Sequence, residues 1–160
     1  MFGYRACWAD GWKAGSLHAN RMPWELSELL PCVDDVGALA EEALEGGAVL
    51  IHSTAPPDEV ERIQEALGTK ETDEALESAF GDIAARLVEK GVRTLVVAGG
   101  ETSGAITRKL GLRRLRFGTE IDPGVPWTQH LGEPLINVAF KAGNAGAEDF
   151  FLKALEDADS

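Results

Sequence analysis

The chain has 160 residues, 44% of them hydrophobic and 26% charged, an ordinary globular composition sufficient for one buried core. A formal net charge of −12 sets its field against polyanions, which excludes nucleic-acid backbones and membrane surfaces and leaves small molecules or proteins as partners. Cys7 and Cys32 lack CxxC or metal-finger spacing, no apolar run is long enough to span a bilayer, and the N-terminus lacks a secretory layout, so a reducing, cytoplasmic setting is expected.

Residues 1–31 hold three of the four tryptophans but follow neither a strand nor a helix period, and they are left as an unplaced N-terminal segment ahead of a domain over 32–160. From Asp34, the apolar positions Val36, Leu39, Ala40, Ala43 and Leu44 predict a helix stopped by Gly46 and Gly47. "AVLIHST" reads as a strand, and "APPDEVERIQEALG" as a helix burying Val60, Ile63 and Leu67 and ending at Gly68. The clearest helix lies between Thr72 and Lys90, where Leu76, Phe80, Ile83 and Leu87 share one face and Gly91 is the stop. "RTLVVAG" is the next strand. After the segment that follows it, "LRRLRFG" alternates as a half-exposed strand, "DPGVPW" reads as a rigid turn, "PLINVAF" as a strand and "GAEDFFLKALEDA" as the closing helix. Helices alternating with buried strands predict a layered α/β/α domain around a largely parallel or mixed sheet.

The segment "VVAGGETSGAITRKLG" passes from an apolar strand through glycines into an amphipathic helix, a layout that suits an anion. It is not a Walker A loop, because Ala105 follows Gly104 where a lysine would be required, and it is not GxGxxG. Small residues let a backbone approach an oxygen, Thr102 and Ser103 offer hydroxyls, and a helix opening at about Ser103 presents free N–H groups. The other reading is a bare structural turn. A second turn of the same kind, "KAGNAGAEDFF", puts Gly143, Asn144 and Gly146 ahead of the last helix, and two such turns at strand ends could flank one nucleotide. Lys141 is either a charge for phosphate or a solvated lysine. The cluster Arg108, Lys109, Arg113, Arg114 and Arg116 could attract an anion, but alternation favours wet arginines with Leu112, Leu115 and Phe117 packed. His18, His52 and His130 share no ligand spacing, Trp127 reads as a packing anchor with an adenine shelf as the other reading, and "GETSG" fails the GxSxG hydrolase pattern.

Two stretches, "GGETSGAITRKLGLRRLRFGTEIDPGVPW" and "INVAFKAGNAGAEDFFLKAL", together resemble the C-terminal nucleotide-binding domain of the four-carbon acid sugar kinases, which include the 3-oxo-tetronate kinases. The likeness is best from Val96 to Leu155 and looser from about Val33. It implies ATP or ADP, with Mg²⁺, lying against Gly100, Glu101, Thr102 and Ser103, and Gly143 and Asn144 closing the other side. Where the family loop reads K-S-G-N-F-G, this chain has "KAGNAG", so Ala142 lacks a hydroxyl and Ala145 an aromatic ring.

The family's A-D-D-x-T-G-A sugar-site motif and its S-G-S-x-S turn are not found in this sequence, and "CVDDVGALAEE" lacks the motif's threonine. The resemblance therefore implies a truncated or split nucleotide-binding domain of an ATP-dependent kinase of carbohydrate metabolism, inactive alone and completed by a separate sugar-binding domain or subunit. Self-association into a homo-oligomer could cover the face left open. The alternative is a non-catalytic module for another phosphorylated metabolite.

Overall fold

The computed structural model describes residues 16–18, 40, 48–52, 61–62, 64–66, 68–143 and 145–158. The helix expected from Asp34 falls outside the described residues except for Ala40, and the one expected to bury Val60, Ile63 and Leu67 lies partly outside them. The described strands are β1 (Ser16–His18), β2 (Leu50–His52), β3 (Thr94–Ala98), β4 (Leu115–Asp122), β5 (Val125–His130) and β6 (Asn137–Lys141). The helices with described bounds are α1 (Thr69–Glu89), α2 (Gly100–Lys109) and α3 (Phe150–Ala158). No described helix is long and apolar enough to cross a membrane.

Strands β3, β6, β5 and β4 form a mixed sheet in that order, with β3 parallel to β6 and the other neighbours antiparallel. Alternation of side chains assigns its two faces. Leu95, Val97, Val138 and Phe140 face a core shared with Phe80, Ala84 and Val88 of α1 and Ile106 of α2. Val96 and Ala139, one position out of step, pack with Ile121, Val125 and Trp127 against Phe150 and Ala154 of α3. The sheet thus lies between α1 with α2 on one face and α3 on the other, the expected α/β/α layering. A smaller apolar group joins Ala79, Ile83 and Leu87 of α1 to Ala40, Val49 and Ile51.

Both long helices stop for one reason. After α1 the Gly91 N–H bonds to Val88 O and the Val92 N–H to Leu87 O; after α2 the Gly111 N–H bonds to Arg108 O and the Leu112 N–H to Thr107 O. These are Schellman closures, and the φ values of +105° at Gly91 and +64° at Gly111 are open to glycine without a Cβ penalty. Against the expected stop at Gly91 the agreement is direct.

The structure corrects three expectations and adds one element. "DPGVPW" is not a rigid turn throughout: Pro123 and Gly124 alone make the bend, and Val125, Pro126 and Trp127 open β5, which the sequence reading lacked. Pro123 leading Gly124 at φ +78° is type II turn chemistry. The half-exposed strand begins at Leu115 and extends to Asp122, with bulges between Phe117 and Glu120 and between Glu120 and Asp122. Phe117, expected to pack, is 74% exposed. Within the segment left unplaced, Ser16–His18 is a strand that pairs in parallel with Leu50–His52.

Candidate functional site

The two glycine turns begin at adjacent strand ends. Ala98 of β3 is paired with Lys141 of β6, and the next residue, Gly99, donates its N–H to Lys141 O at 2.9 Å. Because β3 and β6 are parallel, both chains leave the sheet at its carboxyl edge, where ligands collect in open α/β sheets.

Helix α2 opens at Gly100, three residues before the expected start, with Gly99 in the cap position and no side chain capping the turn. Ser103 N–H already bonds to Gly99 O at 2.9 Å, and its hydroxyl donates to the same oxygen at 2.6 Å. The first-turn N–H groups of Gly100, Glu101 and Thr102 therefore have no backbone acceptor within the helix, and with the helix dipole they favour negative charge. Gly100 and Glu101 are exposed, Ser103 is half-buried, and Thr102 is buried at 3% exposure. A Cβ added at Gly100 would meet nothing within 4 Å.

Gly143 is likewise exposed, with open space where a Cβ would stand. Asn144 lies outside the described residues. Ala145 N–H closes a tight bend by bonding to Ala142 O at 3.1 Å. Lys141 is buried rather than solvated: its Nζ donates to Ala142 O and Gly143 O, each at 3.1 Å. Loss of hydration holds its pKa below the usual lysine range.

Asp122, in the segment "EIDPGVPW", is a functional residue the sequence pattern does not mark, and it holds the far end of this second loop. One carboxylate oxygen accepts from Ala147 N–H at 2.8 Å, and the other accepts from Lys153 Nζ of α3 at 2.9 Å. The backbone donor first, and Lys153 second, hold its carboxyl below the usual range. Lys153, shared with Asp149 at 3.0 Å, is correspondingly raised. The signal was an aspartate ending a strand before Pro-Gly, but its partners are 25 and 31 positions away.

The basic cluster does not join these loops. Arg108 pairs with Glu77 at 3.1 Å and Lys109 pairs with Asp82, tying α2 to α1, while Arg113, Arg114 and Arg116 are exposed. Trp127 packs with the core under α3, its Nε1 buried without a partner. His130 is buried in β5; His18 and His52 are strand residues. No group of three metal-ligating side chains occurs among the described residues.

Residues 26–151 match the family model described as the nucleotide-binding C-terminal domain. The 3-oxo-tetronate kinase of Pseudomonas savastanoi pv. phaseolicola is 46% identical over 134 residues, covering 84% of this chain and 31% of that protein. The 3-oxo-tetronate kinase of Methylobacterium radiotolerans is 49% identical over 121 residues, covering 74% of this chain and 28% of that protein. Haemophilus influenzae protein HI1011, of family DUF1537, superposes with a TM-score of 0.73 at 33% identity, over 81% of this chain and 32% of that one. The chain thus spans about a third of the length of the relatives it matches. A family match across most of the chain, on a fold whose two glycine loops share one sheet edge, leads to a single assignment: this chain belongs to the nucleotide-binding C-terminal domain family that it shares with the 3-oxo-tetronate kinases.

Proposed function

We propose that the chain binds ATP or ADP between the loops that follow β3 and β6, and supplies the nucleotide side of phosphoryl transfer to a four-carbon sugar acid. The observation that carries this reading is the adjacency of the two turns: the Gly99 N–H to Lys141 O bond joins their roots, and Gly100 and Gly143 leave open space at the same sheet edge. A polyphosphate would be received by the first-turn amides of Gly100, Glu101 and Thr102, with Ser103 behind them and Gly143 and Asn144 on the opposite side. The residues present fit such a group, since free amides and absent Cβ atoms are what close approach to phosphate oxygens requires. Glu101 adds a carboxylate in the same turn, which Mg²⁺ arriving with the nucleotide could share.

Transfer also needs an oriented acceptor hydroxyl and neutralised charge on the moving phosphoryl group. In this reading the acceptor is held by a sugar-binding domain or subunit outside the matched third, and the chain alone binds nucleotide without turnover. A cytoplasmic setting, where ATP is held, fits that role.

Calorimetric titration tests the reading. ATP or ADP with Mg²⁺ should bind saturably and in preference to sugar phosphates. Gly100→Val and Gly143→Val should each weaken binding about a hundredfold, roughly 2.7 kcal/mol, and the corresponding alanine variants should keep the wild-type fold, because a Cβ at either position meets no protein atom within 4 Å. Saturable binding of another phosphorylated metabolite in place of adenylate would identify a non-catalytic module instead, and absence of saturable heat with any adenine nucleotide would sink the proposal.

A further inference from the structure

Lys141 ends β6 with 9% of its surface exposed, a place where an ammonium group must find compensation. Among the ion pairs of the described residues none includes it. Its compensation comes from the loop that follows: Nζ donates to the carbonyls of Ala142 and Gly143 and stands 5.9 Å from the centre of the Phe150 ring. Gly146 completes the enclosure, since a Cβ there would stand 3.0 Å from the Phe150 ring and 3.3 Å from Lys141 Cε.

The consequence lies in peptide geometry. A trans peptide carries its C=O and its N–H on opposite sides, so a carbonyl turned toward one group turns the next residue's amide away from it. With Ala142 O held by the buried ammonium as well as by the Ala145 N–H, the N–H of Gly143 is directed away from Lys141, and it has no backbone partner among the described residues. The glycine of this loop at which a Cβ would meet open space is thus one whose amide orientation the lysine helps to set.

We propose that Lys141 is a positioning residue for the second loop: by gathering the Ala142 and Gly143 carbonyls it fixes the Gly143 amide as a donor to the phosphate-bearing ligand. The inference rests on the nucleotide-binding reading of these loops but fails separately from it. A lysine suits the task because one flexible stem delivers several N–H donors to two carbonyls at once. Methionine in its place would keep most of the stem and remove both bonds.

The experiment is an ADP titration, with Mg²⁺, of the ¹⁵N-labelled full chain and of its Lys141→Met variant, following the amides of Gly143 and of Gly100, Glu101 and Thr102. In the wild type ADP should shift both sets. In the variant ADP should still shift the α2 set, leave Gly143 unmoved and bind about tenfold more weakly. A general loss of structure would move both sets, so the split between loops separates positioning from mere stabilisation. No ADP response at either loop of the wild type would overturn the nucleotide reading and this inference together; a wild-type response with unaltered affinity and Gly143 shift in the variant would overturn this inference alone. Should the variant not fold, the lysine ammonium spectrum of the wild type decides. A slowly exchanging Lys141 ¹⁵Nζ signal that moves with ADP supports the proposal, and its absence, or indifference to ADP, overturns it.

Discussion

The loop after β3 turns at Gly99 straight into α2, whereas the loop after β6 runs from Ala142 to Asp149 before α3 begins at Phe150. In the first, the backbone does the work: a helix start leaves amides unpaired by its own geometry, and the one side-chain bond at the turn, from Ser103 to Gly99 O, is local. In the second, no helix start orients the amide of Gly143, and side chains act as struts, with the adjoining Lys141 at the near end and the distant Asp122 at the far end. The lesson is that one chemical surface, a row of N–H donors, can be secured by backbone geometry or by side-chain struts, and that the two should fail differently.

The most severe way to break the comparison is Phe150→Ala. Phe150 is fully buried, packs with Ile121, Val125 and Ala139, and lies beside both Gly146 and the Lys141 ammonium. Truncating a buried phenylalanine costs about 3–5 kcal/mol, which chemical denaturation would measure. Hydrogen exchange on the surviving folded fraction should show faster exchange through residues 142–147 than through the first turn of α2. Equal loosening of both loops would show that the second is no more dependent on struts than the first.

That contrast also explains what the sequence disclosed. The strand, glycine stop and helix around Gly99 are local features, and so were legible: β3, α1, α2, β6 and α3 all appear near their expected positions. The opening of α2 was misplaced because Gly99 occupies the cap position without a capping side chain to mark it. The β5 strand was hidden because Val125-Pro126-Trp127 continues a Pro-Gly turn with a proline, a residue usually confined to edges and bulges. Here Pro126 sits where the pairing with β4 is irregular, so the missing donor is tolerated. Asp122 has partners that only the fold brings to it, and Lys141, whose carbonyl partners are the next two residues, owes its burial to the fold. Phe117 was misjudged because alternation predicts a covered face only where something covers it, and bulges interrupt the alternation of β4 after that residue.

Asp122→Asn sharpens the comparison through pH. The variant keeps the size of the side chain but replaces an acceptor-only carboxylate with an amide whose NH₂ must face either Ala147 N–H or Lys153. Melting temperature should fall at neutral pH, and ADP affinity should fall by less than about tenfold, since only the far end of one loop is released. Asp122 has a lowered folded pKa, so its contribution is complete above the unfolded value of about 3.9 and is lost as pH falls through the lower folded value. The stability gap between wild type and variant should therefore be level from pH 7 to 5 and narrow below about pH 4. A gap that widens on acidification would remove Asp122 from the list of struts.

The smallest effects are expected where α2 is tied to α1. Arg108 to Glu77 and Lys109 to Asp82 look like counterparts of the Lys153 to Asp122 pair, but their carboxylates are 24% and 29% exposed, whereas that of Asp122 is 8% exposed and also accepts a backbone N–H. Water screens the first two pairs and competes for their donors, so a double-mutant cycle on either should give a coupling of only about 0.2–1 kcal/mol. What holds α2 in place is apolar: Ile106 lies in the core against α1, and Gly81 admits the stem of Lys109 so closely that a Cβ there would stand 3.2 Å from Lys109 Cβ. Lys109→Ala should consequently leave ADP affinity unchanged within about twofold. If removing that exposed charge instead weakens binding as much as removing Asp122, the first loop also depends on a distant ion pair, and the division between backbone-secured and side-chain-secured donors does not hold for this domain.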